Sequence, residues 1–250
     1  MNENKISEYR EGMERLFSEW KSVEPAEIKD SKSGKTIVID HKNKVFIKDG
    51  VVCPEQWFSQ KIRPLFLLKE AYGGDKDWSL VDFLSSNERM SKMWNRVAHW
   101  TYGLMKTDAN RIEPYFDYSG STYAENNELK QIAVINVKKS SGEKTSDWEQ
   151  INAYAEFDKD RLLKQIELCD PTIIVCGYTG TPLEIIVKDF QPNLREKKNE
   201  NLFYHLDING HNVLVLDYWH PANQYPDLMN YYTLMGIYQQ ALLNMGERNG

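Results

Sequence analysis

The length, composition and charge of this chain are those of an ordinary globular protein. It has 250 residues, 41% hydrophobic and 27% charged, which excludes the disordered and fibrous classes. Its formal net charge of −6 argues against tight, nonspecific binding of nucleic acid, which needs a basic face. A local basic cleft on an acidic body stays compatible with this charge, because electrostatic steering depends on distribution.

The sequence gives no sign of a membrane span, a secretory signal or a metal site. No window approaches the ~20 apolar residues that cross a bilayer, and the first residues lack the apolar core of a signal peptide, so we expect a cytoplasmic protein. Cys53, Cys169 and Cys176 are too few for a four-cysteine zinc site, an all-cysteine iron–sulfur cluster or a disulfide framework. We expect buried thiols at Cys169 and Cys176, and no metal or other cofactor.

The N-terminal part has its own pattern. Apolar residues recur at helical spacing over residues 6–20, which predicts an amphipathic helix. Residues 35–48 contain two β-branched runs separated by residues 41–44, which predicts a hairpin. We assign residues 1–60 to an extension, a helix plus a hairpin, that packs on the core.

Residues 61–250 are predicted to form one three-layer α/β/α domain around a short parallel sheet of about four strands. Near-continuous apolar runs that alternate with helical stretches indicate such a sheet. The predicted strands are residues 65–68, 132–135, 172–176 and 213–216. The predicted helices are residues 87–105, 157–169, 183–190 and 231–245, with loops at 119–127 and 191–201.

Polar residues or a glycine follow each predicted strand, where an open parallel sheet binds its ligands. They are Glu70, Asn136, Gly177 and His220. Each is weak alone, because a strand-end glutamate is often an ion-pair partner and a histidine before proline suits a rigid turn. Their order along four neighbouring strands predicts convergence on one crevice.

This order of motifs resembles the uracil-DNA glycosylase superfamily over about residues 62–226. LLKEAYG at 67–73 is similar to the family's first motif, in which a tyrosine stands two positions after an acidic residue, here Tyr72 after Glu70. INVKK at 135–139 is similar to its asparagine segment, and CDPTIIVCGYTG at 169–180 to its strand and glycine. Residues 214–226 resemble the His-Pro motif.

The resemblance implies hydrolysis of the bond between a uracil-like or damaged base and its deoxyribose in DNA. Glu70 would orient water and stabilise the cationic sugar, and His220 would donate to the oxyanion of the departing base. Asn136 would read the edge of the base. Because a base must leave the duplex to react, further residues would shape the pocket, stack on the base or fill the gap: Tyr72, Trp78, Phe83, Asn223 and Tyr225. The candidate phosphate contacts are Lys69, Lys138 and Lys139, although a solvated lysine cluster is an equal alternative.

Two other functions stay open. The chain has Glu70-Ala71 where the family has Asp-Pro, and Ala222 where the family has serine. With the net charge of −6, these departures favour an inactive or repurposed module that holds a nucleobase-like ligand. The 7 tryptophans and 14 tyrosines also permit a surface that docks a protein partner.

Overall fold

A computed structural model describes residues 2–29, 33–86, 91–116, 128–143, 145–192, 194 and 202–248. The strands are β1 (Ala26–Lys29), β2 (Thr36–Ile39), β3 (Ile47–Lys48), β4 (Gly50–Val51), β5 (Pro64–Glu70), β6 (Trp78–Ser79), β7 (Ala133–Lys138), β8 (Ile173–Gly177), β9 (Phe203–Ile208) and β10 (His211–Tyr218). The α-helices are α1 (Asn2–Ser22), α2 (Pro54–Trp57), α3 (Leu80–Ser85), α4 (Lys92–Lys106), α5 (Trp148–Phe157), α6 (Lys159–Cys169), α7 (Gly180–Val187) and α8 (Asp227–Arg248).

The central sheet confirms the predicted α/β class and has two more strands than predicted. Its order is β4-β7-β5-β8-β10-β9. The four predicted strands are its parallel centre, with Leu65 beside both Ala133 and Ile174. The additional strands are antiparallel edges, β4 on β7 and β9 on β10, so the sheet is mixed. The carboxyl ends of β7, β5, β8 and β10 therefore lie along one edge.

The central strands are apolar on both faces because helices cover both. Leu65 and Leu67 of β5 belong to a core that includes residues of α1, α5, α6 and α7. Phe66 and Leu68 belong to the opposite core, with residues of α3, α4 and α8. This alternation along one strand gives the three predicted layers.

The predicted N-terminal hairpin is wrong in its pairing. Thr36–Ile39 pairs antiparallel with Ala26–Lys29, and Ile47–Lys48 instead pairs parallel with Trp78–Ser79. The proposed turn residue His41 is buried, and its Nε2 lies 2.8 Å from Asp158 Oδ2. The sequence pattern did not reveal β1, because its positions alternate between half-buried and exposed and it lacks the apolar run that marks a strand.

The predicted helices are present with shifted bounds. α4 begins at Lys92, and the predicted start at 87–90 lies outside the described residues. The helix predicted at 157–169 is α6 alone, preceded by the unpredicted α5. α7 begins and ends three residues early, and α8 begins four residues early. The two predicted loops lie mostly outside the described residues.

Candidate functional site

A cavity of about 930 Å³ opens at the carboxyl edge of the parallel strands. It brings together eight of the eleven site residues named from the sequence: Lys69, Glu70, Tyr72, Trp78, Phe83, Asn136, His220 and Asn223. Tyr225, Lys138 and Lys139 are not among its lining residues. A volume of this size accommodates a nucleoside.

Glu70, the last residue of β5, is a carboxylate fixed at the cavity wall. Lys138 Nζ donates to Glu70 Oε2 at 2.9 Å, and both side chains are 3% exposed. The same ammonium donates to Gln150 Oε1 at 2.6 Å. A Cβ at Gly142 would stand 2.0 Å from Glu70 Oε2, so a side chain there would displace the carboxylate from its ion pair. The carboxylate is therefore a positioned charge with little freedom to swing.

Asn136 is oriented by a buried polar network behind the cavity. Asp49 Oδ2 accepts the backbone N–H of Asn136 at 2.7 Å and its Nδ2 at 3.2 Å. Asp49 Oδ1 in turn accepts Lys139 Nζ at 2.6 Å and Gln165 Nε2 at 2.8 Å. Burial lowers the pKa of Lys139, and the charge of Asp49 opposes this shift. The network sets the direction of the asparagine amide.

His220 presents a neutral imidazole. Its Nδ1 accepts the backbone N–H of Ala222 at 3.1 Å, so the neutral ring carries its proton on Nε2. Partial burial, followed by the nearby charge of Lys69, lowers the pKa of His220 to about 4. Near neutral pH this side chain is therefore a hydrogen-bond donor without a charge.

Gly177 lets the histidine loop approach the sheet. A Cβ there would lie 2.6 Å from Leu68 Cδ2 and 3.2 Å from Pro221 Cδ. Any larger residue would push on the proline that follows His220. Gly177 therefore allows this close packing, and it is not among the residues that line the cavity.

Arg96, a residue that sequence reasoning missed, clamps the histidine loop from α4. Its side chain is buried, and its Nη1 donates to the carbonyl oxygens of Pro221 at 2.7 Å and Asn223 at 2.9 Å. Nη2 donates to the carbonyl oxygen of Tyr225 at 3.1 Å, and Nε donates to Asp227 Oδ1 at 2.8 Å. One guanidinium therefore fixes the loop at four points.

Asn223 is committed to the same loop. Its Nδ2 donates to Asn230 Oδ1 at 2.8 Å and to the carbonyl of His220 at 2.9 Å, while its Oδ1 accepts Asn230 Nδ2 at 3.0 Å. Asn230 Nδ2 also donates to the carbonyl of Tyr225 at 3.0 Å. These contacts occupy the amide that was named as a substrate contact, so Asn223 serves as a loop brace.

The three predicted phosphate contacts divide into one at the cavity and two in the interior. Lys69 lines the cavity, and its Nζ lies 5.1 Å from the ring centre of Trp148. Burial lowers its pKa, with Glu70 opposing. Lys138 and Lys139 form ion pairs, and their side chains are 3% and 0% exposed. The phosphate role is therefore withdrawn from Lys138 and Lys139.

Aromatic rings also line the cavity. A turn at Gly73 (φ 98°) and Gly74 (φ 80°) brings the chain back to Trp78, whose Nε1 donates to the carbonyl of Gly73 at 3.2 Å. Phe83 of α3 and Tyr72 also line it, and Tyr72 is 61% exposed. Such rings can hold a planar ligand between the polar groups.

The cavity is close to electrically neutral. Among its described lining residues the charged ones are Lys69, Glu70 and Glu143, and Lys138 compensates Glu70. In the parts of the chain that the structure describes, no three His, Cys, Asp or Glu side chains are grouped to hold a metal, and no helix there is long and apolar enough to cross a membrane.

The fold and cavity define an α/β protein with a cavity at the carboxyl edge of its sheet. Neither a scan against protein-family models nor a search of curated proteins returned a match. The chemistry of the site therefore rests on its own geometry.

Proposed function

We propose that this protein is a glycosylase-like enzyme that hydrolyses the bond between deoxyribose and a uracil-like or damaged base in DNA. The observation that carries the proposal is the shared cavity of Glu70, Asn136 and His220. These side chains come from three different strands or strand ends; buried partners hold Glu70 and Asn136, and the backbone N–H of Ala222 donates to His220. They supply the anion, the amide and the neutral donor that this reaction needs.

Breaking the glycosidic bond builds positive charge on the sugar and negative charge on the base. The fixed carboxylate of Glu70 stabilises the positive charge on the sugar and orients the attacking water. The Nε2–H of His220 donates to the oxygen of the base, where the negative charge develops. A neutral donor suits this step, because the uncharged imidazole is already the form present near neutral pH. Its N–H can therefore donate to the developing anion directly.

The test is base release from uracil-containing oligonucleotides, single- and double-stranded, with abasic product as the readout. Glu70→Gln and His220→Asn should each slow release by about a hundredfold or more. Glu156→Gln is a matched control, because Glu156 pairs with Lys188 in an exposed ion pair on α5, and it should leave the rate unchanged. Absence of abasic product from every substrate would refute the uracil reaction.

The second candidate is a binding module that holds a nucleobase-like ligand without turnover. The pairing of Glu70 with Lys138, itself bonded to Gln150, favours it because the lysine occupies one of the two carboxylate oxygens that could otherwise accept from a water. The module predicts that uracil or its nucleoside quenches the fluorescence of tryptophans that line the cavity, with no product. Turnover that His220→Asn abolishes would exclude this candidate.

A further inference from the structure

Four aromatic side chains form a continuous row beside the cavity, here called the aromatic row: Trp148, Tyr178, Trp219 and Tyr225. Trp148 and Tyr178 meet edge to face with ring centres 5.1 Å apart. Tyr178 and Trp219 are stacked at 6.0 Å with planes 11° apart, and Trp219 meets Tyr225 edge to face at 5.7 Å. The row joins β8, β10 and α5 across their ends.

Three of the four rings of this row are exposed, although large aromatic side chains gain most from burial, and Trp148 is partly buried. Tyr178 is 51% exposed, Trp219 45% and Tyr225 51%. Single exposed apolar residues are ordinary, whereas a contiguous set points to a binding surface. Tyr178 also adopts a left-handed backbone (φ 59°), a conformation that costs a bulky residue energy and that clusters at functional sites.

Hydrogen bonds anchor the backbone that carries the row. The backbone N–H of Tyr178 donates to the carbonyl of Tyr218 at 2.7 Å, which ties the two strand ends that carry Tyr178 and Trp219. The carbonyl of Tyr225 accepts from Arg96 and Asn230. Because this backbone is already ordered, a ligand that stacks on the rings has little backbone entropy to remove.

The row leads directly into the cavity. Trp148 lines both the main cavity and a neighbouring one of about 390 Å³, whose other lining residues include Tyr178 and Asp217. Lys69 Nζ lies over the Trp148 ring, and Trp219 immediately precedes His220. A polymer with one unit in the cavity would therefore place its next units on these rings.

We infer that the aromatic row binds the bases of single-stranded DNA that flank the base held in the cavity. The choice of nucleic acid as ligand rests on the proposed function. Base stacking on aromatic rings tolerates any sequence and requires unpaired bases. The near-neutral cavity favours this mode over duplex binding, which draws its affinity from phosphate contacts with lysine and arginine.

The test is the binding of a fluorescently labelled oligothymidylate, which carries no uracil, measured by anisotropy with the full chain. Trp219→Leu and Tyr225→Leu keep apolar side chains but remove the rings, and each should weaken binding about tenfold. Phe190→Leu is the matched control: Phe190 is 42% exposed and follows the other end of α7, so it should bind like the parent protein. Thermal unfolding of each variant verifies the fold.

Salt dependence and strand preference sharpen the result. With Lys69 as the described cation that lines the cavity, the logarithm of affinity should fall with the logarithm of salt at a slope near −0.7, about one phosphate contact to a single strand. A self-annealed duplex should bind more weakly than the single strand. Steep salt dependence or preference for the duplex would overturn the inference.

This experiment separates the failure of the row from the failure of the reaction. Oligothymidylate binding that depends on the rings supports the inference even where no abasic product forms. Base release from a free nucleoside or an oligonucleotide, combined with binding that both ring variants leave intact, overturns it and leaves the reaction standing. The inference is also overturned if the protein does not bind oligothymidylate. It is overturned as well if the ring variants weaken the binding of a protein partner and leave oligothymidylate binding unchanged.

Discussion

Replacement of Arg96 by methionine should destabilise the protein and disarrange the histidine loop. Methionine keeps much of the volume and removes every guanidinium hydrogen bond. Three backbone carbonyls then lose a charged donor, and Asp227 loses its ion-pair partner. Removal of one member of a fully buried pair costs roughly 3–5 kcal/mol. Asp227 is 35% exposed and can be rehydrated, so we expect about 3 kcal/mol.

Denaturant unfolding measures this loss, and a site readout measures the effect on the loop. In Arg96→Met the Nδ1 contact of His220 with the Ala222 amide should loosen, because the carbonyl that follows His220 is no longer held. The imidazole signals of His220 in the NMR spectrum should therefore broaden or shift. Base release, if the protein performs it, should fall at least tenfold.

Leu162→Ala is the matched control for this prediction. Leu162 lies fully buried in α6, in the core on the face of the sheet opposite α4, and its truncation costs about 2–5 kcal/mol. Both variants should thus lose similar stability, while only Arg96→Met should alter the His220 signals. An unchanged His220 spectrum in Arg96→Met, or equal changes in both variants, would refute the clamp.

Three other substitutions test the site, and a fourth, on α8, is a control. Gly177→Ala should cost about 1–3 kcal/mol through overpacking in denaturant unfolding, whereas Gly236→Ala, with nothing within 4 Å of the added Cβ on α8, should stabilise the protein by about 0.5–1 kcal/mol. The NMR titration midpoint of His220 should lie near pH 4. It should rise in Lys69→Met without reaching the ordinary histidine value, because burial is the larger cause of the lowered pKa. A midpoint above pH 6 in the parent protein would contradict the described environment. Because the folded pKa is depressed, this group's share of stability is complete above about pH 6.5 and declines as the pH falls toward 4. Asp49→Ala should cost about 3–5 kcal/mol, because a buried lysine loses its partner, and a loss below 1 kcal/mol in urea unfolding would show that the network is dispensable.

The central sheet was predictable because its signal is local. A strand covered on both faces must be apolar at every position, and the four parallel strands met that condition. Their polar ends were equally visible, since Asn136 directly follows an apolar run, and Glu70 and His220 stand two and four residues after theirs. The edge strands β4 and β9 carry weaker signals, because the first has two residues and the second alternates with exposed positions at its end.

The clamp and the ion pairs were not predictable because they depend on partners distant in sequence. Arg96 lies in a helix 131 residues from Asp227, and an arginine in a helix ordinarily reads as solvated. Lys138 and Lys139 occupy a strand end where lysine usually reaches solvent. Their burial depends on Glu70 and Asp49, which reach them only through the order of strands in the sheet.

The ion pairs of Lys138 and Lys139 also limit the ways in which the site could hold DNA, in a chain whose net charge is −6. A cleft that attracted phosphates would need free cations, and two of the three lysines at the strand ends are neutralised by Glu70 and Asp49. The same pairs fix Glu70 and Asn136 at the cavity, so the positive charge is used to position polar groups. Under the proposal, affinity for single-stranded DNA comes from ring stacking and from contacts to the base, and the small number of phosphate contacts predicts a weaker salt dependence than that of a basic groove.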